Sequence, residues 1–537
     1  MILFSLIKMA STTQQRRVPK ESFQIHEDTH ADETSDLDDA TQSQTQRAEE
    51  DEDGDVFEDP LADEDMEDDE NHGDEQEEGE GEGGGYGDLE SSDDDDDHID
   101  ISVRDDMEKL NHTFPNFKDN YRLIKRIGEG TFSTVYKAED IRYHHYHNQW
   151  DLDAKENQWT PPPLRNASHS HTNSRQSTTT RRKPKFVAIK KIYVTSSPLR
   201  IFNELELLHD LRDSHSVCPL ITAFRQSDQV VAILPYFRHQ DFRKYYPQMT
   251  VADMRIYFRS LFAALAAVHA HGIIHRDIKP TNFLYDPDKK RGVLVDFGLA
   301  EREGLDNKPC LCHEDSQVRR QRLKQSVAFT SAHAGPQPGY PKTDTRPSRR
   351  ANRAGTRGFR APEVLFKCTE QTTKIDVWSA GVILLTILCR RFPFFNSADD
   401  VEAMIEIATI FGSRRMKHAG QLHGCVFDTN IPTVGAAGFS FEKIMLWSTC
   451  RSDPAAAAAA AAASGGSSKD SGGAKLGQLT DDEKAAIDFL KLCMDLDPSK
   501  RISAEDAVRH PFLRLEEDED EDGEGEGDAE DDDVMLV

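Results

Sequence analysis

The chain has 537 residues and a net charge of −32, but this charge is unevenly distributed. Residues 1–118 contain 40 acidic and 8 basic residues, and residues 514–537 contain 14 acidic and 1 basic. Like-charge segments with little apolar content cannot bury a core, so both segments are predicted to be disordered tails. The intervening residues, 119–513, have a net charge of +13 and are predicted to form the folded domain.

Composition also excludes several classes of protein. No apolar run reaches the ~20 residues that a membrane span needs, so we expect no membrane association. The apolar start at residues 1–7 lacks the basic region and the cleavage pattern of a signal peptide, and we expect Met9 to be the true start. The eight cysteines follow no secreted spacing pattern, which predicts free thiols.

Along the chain, strand-like segments come first and helical periodicity follows. Strands are predicted at 121–124, 134–138, 186–190 and 230–234, and helices at 199–211, 254–271, 376–389, 481–493 and 504–509. Three polar or low-complexity segments, near 141–184, 303–352 and 413–478, are predicted to be inserts. This order indicates a mixed α+β domain.

Five short blocks occur in an order that is typical of eukaryotic protein kinases. They are Gly128 to Val135, Val187-Ala188-Ile189-Lys190, His275 to Asn282, Asp296-Phe297-Gly298 and Ala361-Pro362-Glu363. Their combination resembles the catalytic core of these enzymes and implies a bilobal kinase fold with three inserts.

The glycine-rich block predicts a loop that covers the phosphates of ATP. Gly128 and Gly130 allow close approach of the backbone, while Ser133 replaces the third glycine of the usual pattern. The predicted ATP-contacting residues are Ile127, Gly128, Glu129, Gly130, Thr131, Phe132, Ser133, Thr134 and Val135.

Lys190 is predicted to reach the α- and β-phosphates of ATP. A carboxylate of the 199–211 helix should hold it, and Glu204 shares the apolar stripe of Ile201 and Leu205. Glu206 is the alternative partner.

The remaining catalytic residues follow from the next two blocks. Asp277 should accept the proton of the substrate hydroxyl or orient that hydroxyl, and Lys279 should neutralise the transferred phosphate. Asn282 and Asp296 offer the hard oxygen ligands that Mg²⁺ prefers. The predicted cofactors are therefore ATP and Mg²⁺, and the form of the catalytic block is that of serine/threonine kinases. A non-catalytic scaffold with a kinase fold is the alternative.

Residues 282–285, 355–365 and 391–400 resemble the cell-division-cycle-seven kinase family, in a form that would suit a fungal member. The resemblance implies a kinase of the replication-initiation complex that phosphorylates MCM helicase subunits during the cell cycle. It also implies a required Dbf-four-type regulatory subunit that docks on the small lobe and the inserts. A casein-kinase-two-like or cyclin-dependent-like kinase remains the alternative within enzymes.

The family's substrates have an acidic or phosphorylated residue after the target serine or threonine. Arg353 and Arg360 flank Thr356 in the segment that should cradle this residue, and guanidinium groups suit carboxylate or phosphate. Arg357 is predicted to be solvent-exposed. The hydroxyl of Thr356 is predicted to bond Asp277 and Lys279, and Glu363 to pair with Arg501.

The basic segments 181–185 and 319–322 predict a nuclear location, or alternatively are solvated loops. Much of the positive charge lies in the inserts, where it could bind a partner, DNA or a nuclear import factor rather than the substrate. Chromatin association is expected to be indirect. A tail that occupies the substrate groove is the alternative to a purely solvating tail.

Cys310-x-Cys312 in the second insert resembles half of a zinc site. No second Cys-x-x-Cys follows, and His333 and Cys368 are the nearest further candidates. We interpret this segment as a polar linker with incidental cysteines, and a small zinc module, which the family resemblance implies for some members, is the alternative.

Overall fold

The structure of the protein, a computed structural model, describes most of the predicted domain. The described residues are 26–27, 99–130, 132–151, 184–304, 309–325, 354–451 and 478–515. Two predicted site residues, Thr131 and Arg353, and the larger part of each acidic tail lie outside these ranges.

A six-stranded sheet forms the small lobe. Its strands are β1 (His26–Glu27), β2 (Tyr121–Glu129), β3 (Ser133–Asp140), β4 (Phe186–Ile192), β5 (Thr222–Gln226) and β6 (Gln229–Pro235). The order is β1-β5-β6-β4-β3-β2, with β1 parallel to β5 and all other neighbours antiparallel. In β4 the fully buried Val187 and Ile189 occupy one face, so alternation turns Lys190 toward the other.

Two helices lie between β1 and β2 in the chain, α1 (Ile101–Thr113) and α2 (Phe117–Asn120). Met107, Leu110 and Phe114 recur at helical spacing and are buried, which explains why this segment folds despite its acidic neighbours. The prediction that disorder extends to residue 118 was therefore wrong for residues 101–118. The charge was counted over residues 1–118 together, so the short apolar stripe of α1 did not show in the average.

One long helix of the small lobe faces the sheet, α3 (Pro198–Asp210). The side chain of Ser197 caps its first turn and Pro198 occupies its first position, both of which favour a helix start. Ile201 and Leu205 are buried, and Glu204 lies on the same stripe. The helix therefore carries a carboxylate toward the cleft.

The large lobe is mostly helical. Its helices are α4 (Phe242–Tyr245), α5 (Val251–Ala270), α6 (Ser316–Gln325), α7 (Pro362–Leu365), α8 (Lys374–Leu388), α9 (Asp400–Phe411), α10 (Ser413–Leu422), α11 (Phe441–Ser448), α12 (Asp481–Cys493) and α13 (Ala504–Val508). Its strands are β7 (Ile273–Ile274), β8 (Phe283–Asp286), β9 (Arg291–Leu294) and β10 (Glu301–Arg302). β7 pairs with β10 and β8 with β9, both antiparallel. None of the helices in the described ranges is long and apolar enough to cross a membrane.

The core of this lobe lies around α5 and α8. Phe258, Leu261 and Trp378 are fully buried there. Nearby, Arg501 donates to both carboxylate oxygens of Glu363, at 2.6 and 3.0 Å, in the ion pair that we expected. This pair joins α7 to the segment that follows α12.

Insert three is shorter than predicted. Its residues include α10 and α11, whereas α6 lies within the described part of insert two. The prediction that insert three begins at 413 was wrong, because Met416 and Leu422 of α10 and Met445 of α11 are buried in the lobe.

Candidate active site

The loop between β7 and β8, residues 275–282, is called the catalytic loop here, and Asp376 of α8 holds it in place. The carboxylate of Asp376 accepts hydrogen bonds from the backbone N–H groups of His275 and Arg276, each at 2.8 Å. Burial opposes its ionisation, but hydrogen bonding from His269 and from the His275 backbone holds its pKa below the ordinary value. A buried carboxylate thus fixes the backbone beside Asp277.

Asp277 is surrounded by donors. One carboxylate oxygen accepts from Lys279 Nζ at 2.9 Å and from Asn282 Nδ2 at 3.0 Å, and the other accepts from the hydroxyl of Thr356 at 2.7 Å. Although burial opposes ionisation, Lys279 and these hydrogen bonds hold the pKa of Asp277 below its usual range. Asp277 is therefore a carboxylate at neutral pH, able to accept a hydrogen bond or a proton from a hydroxyl.

A second charged cluster lies across the cleft, around Lys190. Its Nζ donates to Glu204 at 2.6 Å and to Asp296 at 2.9 Å. Burial favours the neutral amine, but the two carboxylates raise the pKa of Lys190 and keep it charged. Lys190 in turn holds the pKa of Asp296 well below its usual range. The structure thus pairs Lys190 with Glu204, while Glu206 is exposed.

The glycine-rich turn lies above this cluster. The N–H of Gly130 donates to the carbonyl of Ser133 at 2.9 Å, and the ring of Phe132 stacks on the guanidinium of Arg200 at 3.7 Å. A Cβ at Gly128 or Gly130 would meet protein atoms only at 3.8 Å, an ordinary contact. Packing within the protein therefore does not require these glycines, and close approach of a ligand remains the physical reason for them.

The other residues of this turn have contacts of their own. Glu129 pairs with Arg126 at 2.7 Å, and the hydroxyls of Thr134 and Tyr193 are 2.9 Å apart. Val135 lies opposite Gly128 in the β2–β3 register. These contacts fix the base of the turn and leave its inner side open to the cleft.

The segment after insert two brings Thr356 and Arg360 to the catalytic loop. The hydroxyl of Thr356 bonds both Asp277 and Lys279, as predicted. Arg360 donates to the carboxylate of Asp400 at 2.6 Å and to the carbonyl of Gly355 at 2.8 Å. The sequence pattern identified Arg360 but missed Asp400, which approaches from α9.

Arg357 is exposed, as predicted, although its guanidinium also donates to the carbonyl of Ala398. Arg353, the other predicted substrate-contacting arginine, lies outside the described residues. Arg360 is therefore the one of the pair whose environment the structure describes.

A cluster of three cysteines and one histidine lies beside insert two. The ligand atoms of Cys310, Cys312, Cys368 and His423 all lie within 4.8 Å of one another. Cys312 Sγ is 3.7 Å from Cys368 Sγ, and Cys310 Sγ is 3.7 Å from His423 Nδ1. Three thiols and one imidazole are the donor set of a structural zinc site.

The interpretation of Cys310 and Cys312 as incidental was therefore wrong. His423, which follows α10, was missed because it lies far from the other ligands in sequence, and His333 lies outside the described residues. All eight cysteines of the chain are free of disulfides, as expected.

Comparison with known proteins agrees with this geometry. Residues 174–336 and 339–513 match the family model of the protein kinase domain. The chain is 48% identical to the cell cycle serine/threonine-protein kinase hsk1 of Schizosaccharomyces pombe, over 78% of this chain and 77% of that protein. It is 35% identical to a probable cell division control protein 7 homolog of Encephalitozoon cuniculi, over 76% and 95% of the two chains. Identity to the human cell division cycle 7-related protein kinase is 26%, over 77% and 92%.

Proposed function

Because the chain belongs to the cell-division-cycle-seven family of serine/threonine kinases, we propose that it phosphorylates serine or threonine in acidic or pre-phosphorylated contexts. The proposed substrates are MCM helicase subunits, whose phosphorylation would start DNA replication. The observation that carries the proposed context is the environment of Arg360. Its guanidinium bonds the carbonyl of Gly355, the residue before Thr356, and already binds a carboxylate, that of Asp400. A group that accommodates one carboxylate suits an acidic or phosphorylated side chain.

The contacts of the site residues support the following proposed roles. Asp277 would accept the hydrogen bond, and then the proton, of the substrate hydroxyl. Lys279, which lies 2.9 Å from it, would offset the charge of the transferred phosphoryl group. Lys190 would bind the α- and β-phosphates while Glu204 holds it in place, and the glycine-rich turn would cover them with its backbone.

Protein kinases use ATP and divalent metal ions, and here we propose Mg²⁺. The amide oxygen of Asn282 and the carboxylate of Asp296 are hard oxygen ligands at the cleft, and the ionised state of Asp296 suits a cation. When bound, the metal would neutralise charge on the phosphates. Asn282 also donates its amide N–H to Asp277, which directs its oxygen away from that carboxylate.

A Dbf-four-type regulatory subunit is proposed to dock on the small lobe. Val194, Leu199 and Phe202, in or just before α3, are 55%, 65% and 37% exposed. Apolar side chains that stay exposed in and beside α3 mark a surface that a partner can cover. Because α3 also carries Glu204, a partner bound there would stabilise the Lys190–Glu204 pair.

A nuclear location is proposed from the basic segment 181–185. The second basic segment is less suited to bind an import factor, because Arg319 donates to the carbonyls of Leu311, Cys312 and Glu314. Alanine replacement of the basic residues of 181–185 in a fluorescent fusion should reduce nuclear accumulation. Unchanged accumulation would contradict this assignment.

The test of substrate context uses matched peptides. We expect the kinase with its regulatory subunit to phosphorylate Ser-phosphoSer and Ser-Asp peptides from an MCM tail more efficiently than Ser-Ala or Ser-Pro peptides. Asp277→Asn serves as the blank. Preference for Ser-Pro would favour a cyclin-dependent-like specificity, and full activity without the subunit would favour a casein-kinase-two-like enzyme.

A further inference from the structure

Arg276, the residue before Asp277, is a buried cation. Its side chain is 6% exposed, and its backbone N–H is fixed by Asp376. A guanidinium that leaves water requires a neighbouring anion, and removal of that anion is strongly destabilising. The anion beside Arg276 therefore helps Asp376 to hold the catalytic loop in position.

That anion is the carboxylate of Glu301. Arg276 Nη2 lies 2.5 Å from Glu301 Oε2. Glu301 lies in β10, opposite Ile274 of β7, and β7 ends directly before the catalytic loop. The N–H of Glu303 donates to the carbonyl of Gly272 at 2.8 Å and continues this pairing. Backbone register thus brings the carboxylate to the guanidinium.

The same segment is bound to α3 by three side-chain hydrogen bonds. These run from Arg200 Nε to the carbonyl of Gly298 at 2.7 Å, from Asn203 Nδ2 to the carbonyl of Ala300 at 2.8 Å, and from Arg302 Nη2 to Asp210 Oδ2 at 2.5 Å. The residues of this segment that take part, Gly298, Ala300 and Arg302, lie on both sides of Glu301 in the sequence. The carboxylate is therefore held between the helix that carries Glu204 and the loop that carries Asp277.

Kinases commonly order the segment that follows the Asp-Phe-Gly block, the activation segment, by phosphorylation, because arginines bind the new phosphate. In this chain a negative charge is already encoded five residues after Asp296. We propose that Glu301 replaces an activation-segment phosphate as the counter-ion of Arg276, so that the catalytic loop is in place without phosphorylation of that segment. Glu301 acts through its ion pair with Arg276, so it is a positioning residue.

Phosphatase treatment of the wild-type kinase is the first test. The purified full-length chain, with its regulatory subunit where activity requires it, is dephosphorylated, and mass spectrometry confirms that residues 303–360 carry no phosphate. Initial rates of peptide phosphorylation are then measured before the segment can be modified again. We expect kcat to change by less than about twofold. Loss of activity that rephosphorylation restores would overturn the proposal.

Substitution of Glu301 is the second test. Glu301→Gln keeps the shape but removes the charge, and we expect kcat to fall roughly 10- to 100-fold, with KM for ATP changed by less than about twofold. Glu301→Asp should recover part of kcat. The matched control is Glu303→Gln, two residues along and exposed, which should leave kcat unchanged.

Folding of each variant is checked by thermal unfolding with and without ATP. Wild-type kcat in Glu301→Gln, or a loss confined to KM, would contradict the positioning role. If Glu301→Gln does not fold, the phosphatase experiment on the wild-type protein decides the question alone.

Discussion

The hydroxyl of Thr356 donates to the carboxylate of Asp277 at 2.7 Å and accepts from Lys279 Nζ at 3.0 Å. The backbone N–H of Thr356 donates to the same carboxylate oxygen of Asp277 at 3.0 Å. One residue of the segment after insert two therefore joins the two catalytic-loop residues to which we assign the reaction. The catalytic loop and that segment therefore reach the arrangement needed for the reaction only when both are in place.

Replacement of Thr356 by alanine should remove this connection. We expect kcat to fall roughly 100-fold, because Asp277 and Lys279 lose a shared partner that positions both. ATP binding should persist, since Lys190 and Asp296 are untouched. Steady-state kinetics and calorimetry of ATP binding measure the two effects. Thr356→Ser, which keeps the hydroxyl, is the control, and normal turnover by Thr356→Ala would refute the assignment.

Two neighbouring glutamates of α3 should differ in their importance. Glu204→Gln removes a charge 2.6 Å from Lys190, so kcat/KM for ATP should fall about 100-fold. Glu206→Gln changes an exposed residue of the same helix and should have little effect. Kinetics with varied ATP compares them. Equal losses in both variants would show that the effect comes from the helix and not from the ion pair.

Arg360 should determine the preference for acidic contexts. Arg360→Gln is expected to reduce the preference for a Ser-phosphoSer over a Ser-Ala peptide by about tenfold, the value of one charge-assisted hydrogen bond. Arg357→Gln is the matched control, because Arg357 is exposed nearby. The ratio of kcat/KM for the two peptides is the measurement. An unchanged ratio in Arg360→Gln would assign the preference to another residue.

Asp400 should have the opposite effect. It holds Arg360 at 2.6 Å, so an acidic substrate side chain has to compete with it for the same guanidinium. Asp400→Asn weakens that competition and should lower KM for acidic peptides, while KM for a Ser-Ala peptide stays the same. A higher KM for acidic peptides would instead mean that Asp400 orients Arg360 for the substrate.

The cysteine cluster should bind zinc. Elemental analysis of the purified chain is expected to find one zinc ion, and Cys310→Ser should abolish or weaken its binding. A strong chelator should lower the thermal midpoint of the wild-type protein, because metal binding contributes to folding. Cys450→Ser, which changes an exposed cysteine, is the control. A metal-free wild-type protein with an unchanged midpoint would contradict this prediction.

Local patterns identified most of the site, because its residues lie within short blocks whose spacing is fixed. The periodicity of 199–211 sufficed to choose Glu204 over Glu206, since a helix presents each fourth residue on one face. Asp400 and His423 could not be found in this way. Their roles depend on how α9 and α10 pack in the large lobe, and no local spacing encodes that arrangement.

The boundaries of the domain were predicted less well for a related reason. The apolar stripe of α1 is short, and the charge around it dominates any average over the segment. Likewise, α10 and α11 are polar enough to resemble an insert, although each has an apolar face in the core. Average composition hides elements in which only one residue in three or four is buried.

The cysteine cluster also bears on how insert two can vary in length. Cys310 and Cys312 lie next to Cys368 and His423 of the large lobe, and Leu323 at the end of α6 is buried. The chain that connects α6 to Thr356 therefore starts and finishes at fixed points. For flexible loops in general, the entropy lost on closure grows only with the logarithm of the length, and doubling that length costs about 0.6 kcal/mol. We therefore expect a change in the number of residues between these anchors to cost little stability, because the anchors and not the connecting residues keep Thr356 beside Asp277.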